Sequence, residues 1–220
     1  MISVCAPYWR RQAALDRMAE QYARLYPDLV LEIVVADDGS PDPAVAPPGV
    51  TVVHLPRKDR PLNPCVPINR AVGASTGDVI VLTNPEIEHR EPVLGAMLAM
   101  FEHEDDYVTA RCVDERWGLV LAGPEVDYGQ HGRLPVPLGA HFHFLAMFHR
   151  SLWVKAGGFD EDYRHGLACD DNDWLWRLHR VGARFKHCPA TVYHDSSERL
   201  AWGMPHNADL FHRKWPEARR

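Results

Sequence analysis

The chain has 220 residues, of which 46% are hydrophobic and 25% are charged, and its formal net charge is −6. This length and composition suit one domain with a continuous core and exclude a disordered chain. The negative charge disfavours sequence-independent nucleic-acid binding, which depends on cationic neutralisation of phosphates. Five widely spaced cysteines without a C-x-x-C pair indicate a reducing compartment. No signal peptide or bilayer-spanning helix is expected, which together predicts a cytoplasmic protein without membrane insertion.

The first half of the chain alternates short β-branched runs with helical patterns. This alternation is typical of strand–helix–strand units around a mostly parallel sheet. Between residues 10 and 25, apolar side chains recur at spacings of three and four, as in an amphipathic helix. The predicted elements are, in order, a strand at 2–8, a helix at 10–25, strands at 30–36 and 50–55, a helix at 66–74 and a strand at 78–83.

The second half has a different pattern, with a stretch at 123–139 that is too rich in Gly and Pro for a regular element. The elements predicted around it are a helix at 92–101, strands at 107–113, 119–122 and 141–149, helices at 151–156 and 170–180, a strand at 184–194 and a helix at 207–214. On the predicted strand 141–149, His141 and His143 would face the same side.

Polar residues follow three of the strands predicted to be parallel. Ligands of open α/β sheets bind at the carboxyl ends of the strands, so these residues are candidates for a functional site. The candidates are Pro7-Tyr8, Asp37-Asp38 and Asn84-Pro85-Glu86. Carboxylates after the second strand can accept hydrogen bonds from a ribose or a base, and Glu86 can hold a divalent cation that also binds a diphosphate. Alternatively, the Asp-Asp-Gly-Ser sequence is only a turn signal.

The ordered combination of motifs resembles the family-two glycosyltransferases of the GT-A fold over nearly the whole chain. The matching segments are Ile2–Tyr8, Val34–Asp42, Asn69 before Gly77–Leu82, Gly157–Glu161, Asp170–Asp173 with Arg177, Gly182, and Val192–His194. The resemblance implies an α/β fold that forms a single GT-A domain at 1–220. In such a domain, helices flank a mostly parallel sheet that binds the nucleotide. It also implies a nucleotide-sugar-binding half at 1–90 and an acceptor-binding and catalytic half at 91–220.

The same resemblance implies a reaction, the inverting transfer of a sugar from a nucleotide-diphosphate sugar to an acceptor hydroxyl, assisted by Mn²⁺ or Mg²⁺. The donor would be a UDP-, dTDP- or GDP-sugar. Donor contacts are expected from Pro7, Tyr8, Asp37, Asp38, Asn69 and Arg70. Arg70 is alternatively a surface arginine.

The segment Asn84-Pro85-Glu86 takes the place of the family's D-x-D metal motif and departs from it, since its first acid is Asn and its second is Glu. The resemblance implies that Glu86 and His194 are the metal ligands. A neutral imidazole is a good ligand for manganese. Alternatively, His194 is a strand-end histidine hydrogen-bonded to the backbone.

Asp171 matches the second acid of the family's acid–Asp motif, which implies that it is the general base for the acceptor hydroxyl. Its neighbours Asp170 and Asp173 also suit a helix N-terminus, where acids interact favourably with the macrodipole. Acceptor contacts are expected from Asp170, Trp153 and His143, although tryptophans more often belong to the core. The acceptor is left open between a glycan, a protein and a modified nucleobase. A sugar- or nucleotide-binding module without catalysis is the alternative function.

Overall fold

A computed structural model of the protein describes residues 1–60, 63–126, 138–195 and 204–219. Its strands are β1 (Ile2–Tyr8), β2 (Leu31–Asp37), β3 (Val50–His54), β4 (Val79–Thr83), β5 (Ile87–Glu88), β6 (Asp106–Asp114), β7 (Leu119–Ala122), β8 (Leu145–His149) and β9 (Arg184–His194). Its helices are α1 (Gln12–Leu25), α2 (Cys65–Ala74), α3 (Leu94–Leu98), α4 (Arg150–Ala156), α5 (Asp170–Arg180) and α6 (Met204–Lys214). Short 3₁₀ turns occupy Leu138–His141, Glu161–His165 and Pro216–Arg219.

In the described ranges the strands form one sheet, ordered β3-β2-β1-β4-β8-β6-β9-β5, with β7 paired to β6. The first four strands are parallel to one another. The sheet then changes direction, because β8 is antiparallel to both β4 and β6, while β9 runs parallel to β6. The predicted α/β class, with a sheet flanked by helices, is confirmed.

Helices cover the sheet on two faces, and side chains alternate between the two resulting core layers. In β1, Val4 packs into the layer under α1 and α3, whereas Cys5 packs into the layer under α2, α4 and α5. This alternation follows from the two-residue period of a strand. Because both faces are covered, the central strands β1 and β4 are largely buried on both sides.

Several strands end at the same edge of the sheet, which we call the strand-end edge. It contains the C-terminal ends of β1, β2, β4, β6 and β9 and, because β8 is antiparallel to its neighbours, the N-terminal start of β8. Thr83 pairs with Leu145, and Ile87 pairs with His194, so the loop after β4 lies beside the end of β9. The helices α2 and α5 lead into β4 and β9, respectively, and both therefore begin at this edge. The topology thus brings parts of both halves of the chain to one place.

The predicted strand at 141–149 is wrong in its first part. His141 ends a 3₁₀ turn, and β8 begins only at Leu145. The ring of His141 instead stacks on His187 with centroids 3.8 Å apart, and Thr109 Oγ1 lies 3.0 Å from its Nδ1. His141 and His143 therefore do not share a strand face, because tertiary contacts outweigh the local alternation.

Other differences concern the ends of elements. The helix expected at 92–101 is only Leu94–Leu98, since its last residues form a turn in which the Met100 N–H donates to the Met97 carbonyl. The last helix begins at Met204 rather than residue 207, and the two-residue strand β5 was not predicted. Among the described residues, no helix has both the length and the apolar character that crossing a bilayer requires.

Candidate functional site

Asp37, at the end of β2, is buried and fastens the loop that follows it. Its two carboxylate oxygens accept hydrogen bonds from the N–H groups of Ser40 and Ala44, each at 2.9 Å. Burial alone would raise the pKa of this carboxyl, but the hydrogen bonds outweigh burial and hold the pKa below its ordinary value. Asp37 therefore stabilises the turn after β2, as the turn signal in the sequence indicates.

Asp38 lies next to the end of β1, because its N–H donates to the Tyr8 carbonyl at 3.0 Å. Its carboxylate is paired with the ammonium group of Lys58. Tyr8 is buried, and Pro7 beside it is partly exposed. These residues line the junction of the first two strands at the strand-end edge, and Lys58 adds a positive charge that the sequence motifs did not point to.

Asn69 connects the two halves of the chain. From α2, its Nδ2 donates to the Phe159 carbonyl at 2.9 Å, and its Oδ1 accepts from the Phe159 N–H at 3.0 Å. Gly158 has φ +68°, and a Cβ there would lie 3.1 Å from Asn69 Oδ1, so glycine suits this close approach. The neighbouring Arg70 is about half exposed and lies 3.7 Å from Glu161. The Gly-Gly-Phe motif is therefore tied to α2 by a side-chain amide.

Glu86 and His194, the two expected metal ligands, lie together. Glu86 Oε1 is 3.7 Å from His194 Nε2, which is too long for an ordinary hydrogen bond. The same oxygen is 2.6 Å from an Arg11 guanidinium nitrogen. Burial raises the pKa of Glu86, but His194 and Arg11 together hold it below its ordinary value, so this carboxyl is an anion at neutral pH.

No cluster of three His, Cys, Asp or Glu side chains suited to a metal ion occurs within the residues that the structure describes. Glu86 and His194 are thus a two-ligand set. His194 Nδ1 is buried and has no hydrogen-bond partner among the described residues, so no protein group fixes the orientation of the ring from that side. An oxygen and an imidazole nitrogen at this separation fit a divalent cation whose remaining ligands come from elsewhere.

Asp170 and Asp171 are the first two residues of α5. Asp170 is buried, and Asn63 Nδ2 donates to its Oδ1 at 2.7 Å. Asp171 is partly exposed, and its Oδ1 accepts from the Asn172 N–H at 2.8 Å. Burial raises the pKa of both carboxyls, and for Asp171 the charge of Asp170 raises it further. A carboxyl with a raised pKa is suited to accepting a proton near neutral pH.

Asp173, three residues into α5, has a structural environment. It is buried and binds the Tyr163 hydroxyl at 3.3 Å, Trp215 Nε1 at 2.7 Å and Arg177 Nε at 2.7 Å. The carboxylate thereby joins α5 to the 3₁₀ turn before it and to the residue that follows α6. The structural interpretation of this acid fits these contacts.

The aromatic residues expected on the acceptor side form a packed cluster. The ring of Trp153 lies 5.0 Å from that of Trp174, which is fully buried, and 5.9 Å from Phe159. His143 meets Phe159 edge-on at 5.1 Å. Trp174 belongs to the core, and acceptor binding by Trp153 and His143 stays a prediction.

Three residues at this edge were not found from the sequence: Arg11 beside Glu86, Lys58 beside Asp38, and Asn63 beside Asp170. They belong to none of the recognised motifs, and each acts through a contact with a distant part of the chain. A general excess of polar residues near strand ends was the only signal for them.

The comparisons with known proteins agree with this arrangement. The sequence model described as Glycosyl transferase family 2 matches residues 3–153. The mannosyltransferase PcManGT from Pyrobaculum calidifontis, solved with GDP-Man and Mn²⁺, has a TM-score of 0.64 at 17% identity, over 99% of this chain and 71% of that one. S. aureus TarS 1-349 solved with UDP has a TM-score of 0.70 at 16% identity, over 96% of this chain and 63% of that one. No curated protein matches the chain.

The sequence identities to these two structures are 17% and 16%, so the structural similarity is evidence for the fold alone. The chain spans 63% of the TarS structure, which is less than two thirds of its length. The sequence model, by contrast, covers most of the chain, from β1 to α4. The chain is thus a member of Glycosyl transferase family 2 and has the GT-A fold.

Proposed function

We propose that the protein transfers a sugar from a nucleotide-diphosphate sugar to an acceptor hydroxyl, with inversion at the anomeric carbon. The observation that carries the proposal is the carboxyl pair at the start of α5, where burial and mutual repulsion raise the pKa of Asp171 at the edge where the donor-half strands end. The solved neighbours with GDP-Man and with UDP support a UDP-, dTDP- or GDP-sugar as the donor.

The nucleotide would lie over the ends of β1 and β2. Asp38 is the candidate acceptor of a base N–H, with Pro7 and Tyr8 beside it. Asp37 would act mainly through the loop that it fastens. From α2, Arg70 would face the diphosphate, and Asn69 would hold the Gly-Gly-Phe motif against the donor half. In this proposal, Pro7, Tyr8, Asp38 and Arg70 contact the donor directly. Asp37 and Asn69 instead hold the surrounding backbone in place.

Glu86 and His194 are the residues that would hold Mn²⁺ or Mg²⁺, with diphosphate oxygens among the other ligands. A bound divalent cation neutralises the charge that develops on a departing diphosphate. Arg11 shares the Glu86 carboxylate and is a second positive group at this place. The PcManGT structure with Mn²⁺ supports a cation in this fold.

Asp171 would take the proton from the acceptor hydroxyl. The acceptor oxygen then forms the new bond to the anomeric carbon on the face opposite the diphosphate, while the bond to the diphosphate breaks and its electron pair leaves with that group. A single displacement of this kind inverts the anomeric centre and needs no covalent enzyme intermediate. Asp170 would stay beside Asp171 as the negative neighbour that keeps it basic.

Asp170, Trp153 and His143 remain the proposed acceptor-side residues. The proposed acceptor is a glycan, a protein or a modified nucleobase. Because the chain belongs to a family of transferases, we favour an enzyme over a catalytically inactive binding module.

The experiment is a panel of nucleotide-sugar donors incubated with the protein, with and without Mn²⁺ or Mg²⁺, while released nucleoside diphosphate is measured. We expect release from at least one donor, and we expect Glu86→Gln to raise the Mn²⁺ concentration for half-maximal rate by about tenfold or more. Glu91→Gln, an exposed acid two residues beyond His89, is the matched control and should leave that concentration unchanged. Nucleotide binding that ignores divalent metal, without release from any donor, would instead indicate the binding module.

A further inference from the structure

The two residues before the carboxyl pair have an unusual backbone. Ala168 has φ 64° and Cys169 has φ 68°, and both carry a Cβ. The left-handed region is disfavoured for such residues, because the Cβ approaches the following carbonyl oxygen. Two consecutive residues in this region need outside contacts to hold them, and they set the direction in which α5 starts.

Asn207, on α6, supplies those contacts. It is fully buried, and its Nδ2 donates to the Ala168 carbonyl at 2.9 Å and to the Tyr163 carbonyl at 3.0 Å. One amide group thus joins the 3₁₀ turn Glu161–His165 to the left-handed residues five positions later. Since both partners are carbonyl oxygens, only the N–H side of the amide can face them.

Gly166 makes room for this amide. A Cβ at this position would lie 2.6 Å from Asn207 Oδ1 and 2.8 Å from its Cγ. Both distances are closer than real Cβ contacts, so an alanine here must push the Asn207 side chain away. On the other side of the turn, Asn63 Nδ2 donates to Asp170 Oδ1 at 2.7 Å and so anchors the start of α5. The same nitrogen makes a longer contact of 3.5 Å with the Ala168 carbonyl, so Asn207 makes the shorter of the two hydrogen bonds to that oxygen.

We propose that Asn207 is a positioning residue, whose amide holds the left-handed turn before α5 and thereby aims Asp171 at the acceptor hydroxyl. The inference rests on the proposed function of Asp171 as the base. It gives α6, which lies outside the residues matched by the family model, a part in the reaction without any contact to substrate.

The test compares Asn207→Leu and Gly166→Ala with the wild-type protein in steady-state transfer assays. Leucine is close to asparagine in size but donates no hydrogen bond, and the alanine displaces the amide from the other side. We expect both variants to lower kcat by about 100-fold, the loss typical of a slightly misplaced catalytic group. The donor KM should stay within about twofold, because the nucleotide contacts lie on other elements.

Two controls separate positioning from a general loss of stability. Asp209→Ala changes an exposed residue of α6 and should leave kcat unchanged. Met97→Ala removes a fully buried side chain from α3, in the opposite core layer, and should lower the melting temperature without the change in kcat. If Asn207→Leu does not fold, Gly166→Ala carries the comparison alone.

The inference is overturned if Asn207→Leu or Gly166→Ala keeps the wild-type kcat while Asp171→Asn is inactive, an outcome that leaves the proposed function standing. It is also overturned if Met97→Ala, at a matched melting temperature, loses kcat to the same extent. A fully active Asp171→Asn variant would remove the proposed function itself, and this inference with it.

Discussion

Opposing electrostatic effects meet at Asp171. The N-terminus of α5 favours a negative charge, typically by about 0.3–1 kcal/mol. Burial and the adjacent Asp170 act in the other direction, and each unit of raised pKa corresponds to about 1.4 kcal/mol against the charged form. Because the pKa of Asp171 is raised overall, burial and the charge of Asp170 together outweigh the effect of the helix N-terminus. The site thus keeps a basic carboxylate at a place where an isolated aspartate would be only weakly basic.

The raised pKa predicts how transfer depends on pH. Asp171 must be ionised to accept a proton, so kcat should fall as the pH is lowered through its raised pKa. Asp170→Asn removes a negative neighbour and should move this acid limb to lower pH, by about one unit. The measurement is kcat against pH in the two proteins.

Asp28→Asn, which removes an exposed acid in the turn after α1, is the control for a change in net charge and should leave the limb in place. An acid limb that is identical in Asp170→Asn and wild type would show that Asp170 does not set the basicity of Asp171.

At the level of elements, the buried carboxylate of Asp173 helps to fasten the residues after α6 to α5. Asp173 binds the Tyr163 hydroxyl, Trp215 Nε1 and the Arg177 guanidinium. The ring of Trp215 also stacks on Trp176 at 5.2 Å. The 3₁₀ turn before α5, the helix α5 itself and the residues after α6 therefore depend on the same group.

Asp173→Ala is expected to destabilise the protein by about 3 kcal/mol, because it leaves two buried donors, the Tyr163 hydroxyl and Trp215 Nε1, without their acceptor. It also removes one of the two carboxylates that pair with the Arg177 guanidinium, the other being Asp160. The measurement is the free energy of unfolding in denaturant. The control is Arg180→Ala on the same helix, which breaks an exposed ion pair with Glu217 and a cation–π contact with Trp215. It should cost about 1 kcal/mol or less. A cost for Asp173→Ala no larger than that of the control would contradict the structural role.

Elements with strong periodicity could be predicted from the sequence, and those set by distant contacts could not. The bounds of β1, β7, α5 and β9 agree with the prediction, since each has a regular pattern between clear turn signals. The start of β8 was misplaced because His141 is held by Thr109 and His187, from β6 and β9. The strand β5 has only two residues, which is too short to show a period.

The candidate site follows the same division. Motif residues such as Glu86 and His194 were expected together and lie together. Asn63, Lys58 and Asn207 were missed, because a side chain that acts through one long-range hydrogen bond leaves no local pattern.

At the scale of the whole molecule, the sheet topology brings the proposed donor-binding residues and the proposed acceptor-side residues to one edge. Parallel strands β1, β2 and β4 end where the antiparallel β8 begins and where β9 ends, so groups from residues 1–90 and from residues 91–220 share the strand-end edge. Asn69 and Asn63 fasten this junction through hydrogen bonds to Phe159 and Asp170. The division into a donor half at 1–90 and an acceptor half at 91–220 stays a prediction, and these hydrogen bonds join the two segments.

The central claim is that Asp171 removes the proton from the acceptor, and the most direct measurement is the rate of sugar transfer by Asp171→Asn beside its affinity for the donor nucleotide. The account predicts a loss of transfer of about 100-fold or more, with nucleotide affinity within about twofold of wild type and a fold at least as stable, since the substitution removes a repelling charge. Transfer at the wild-type rate by this variant would contradict the account.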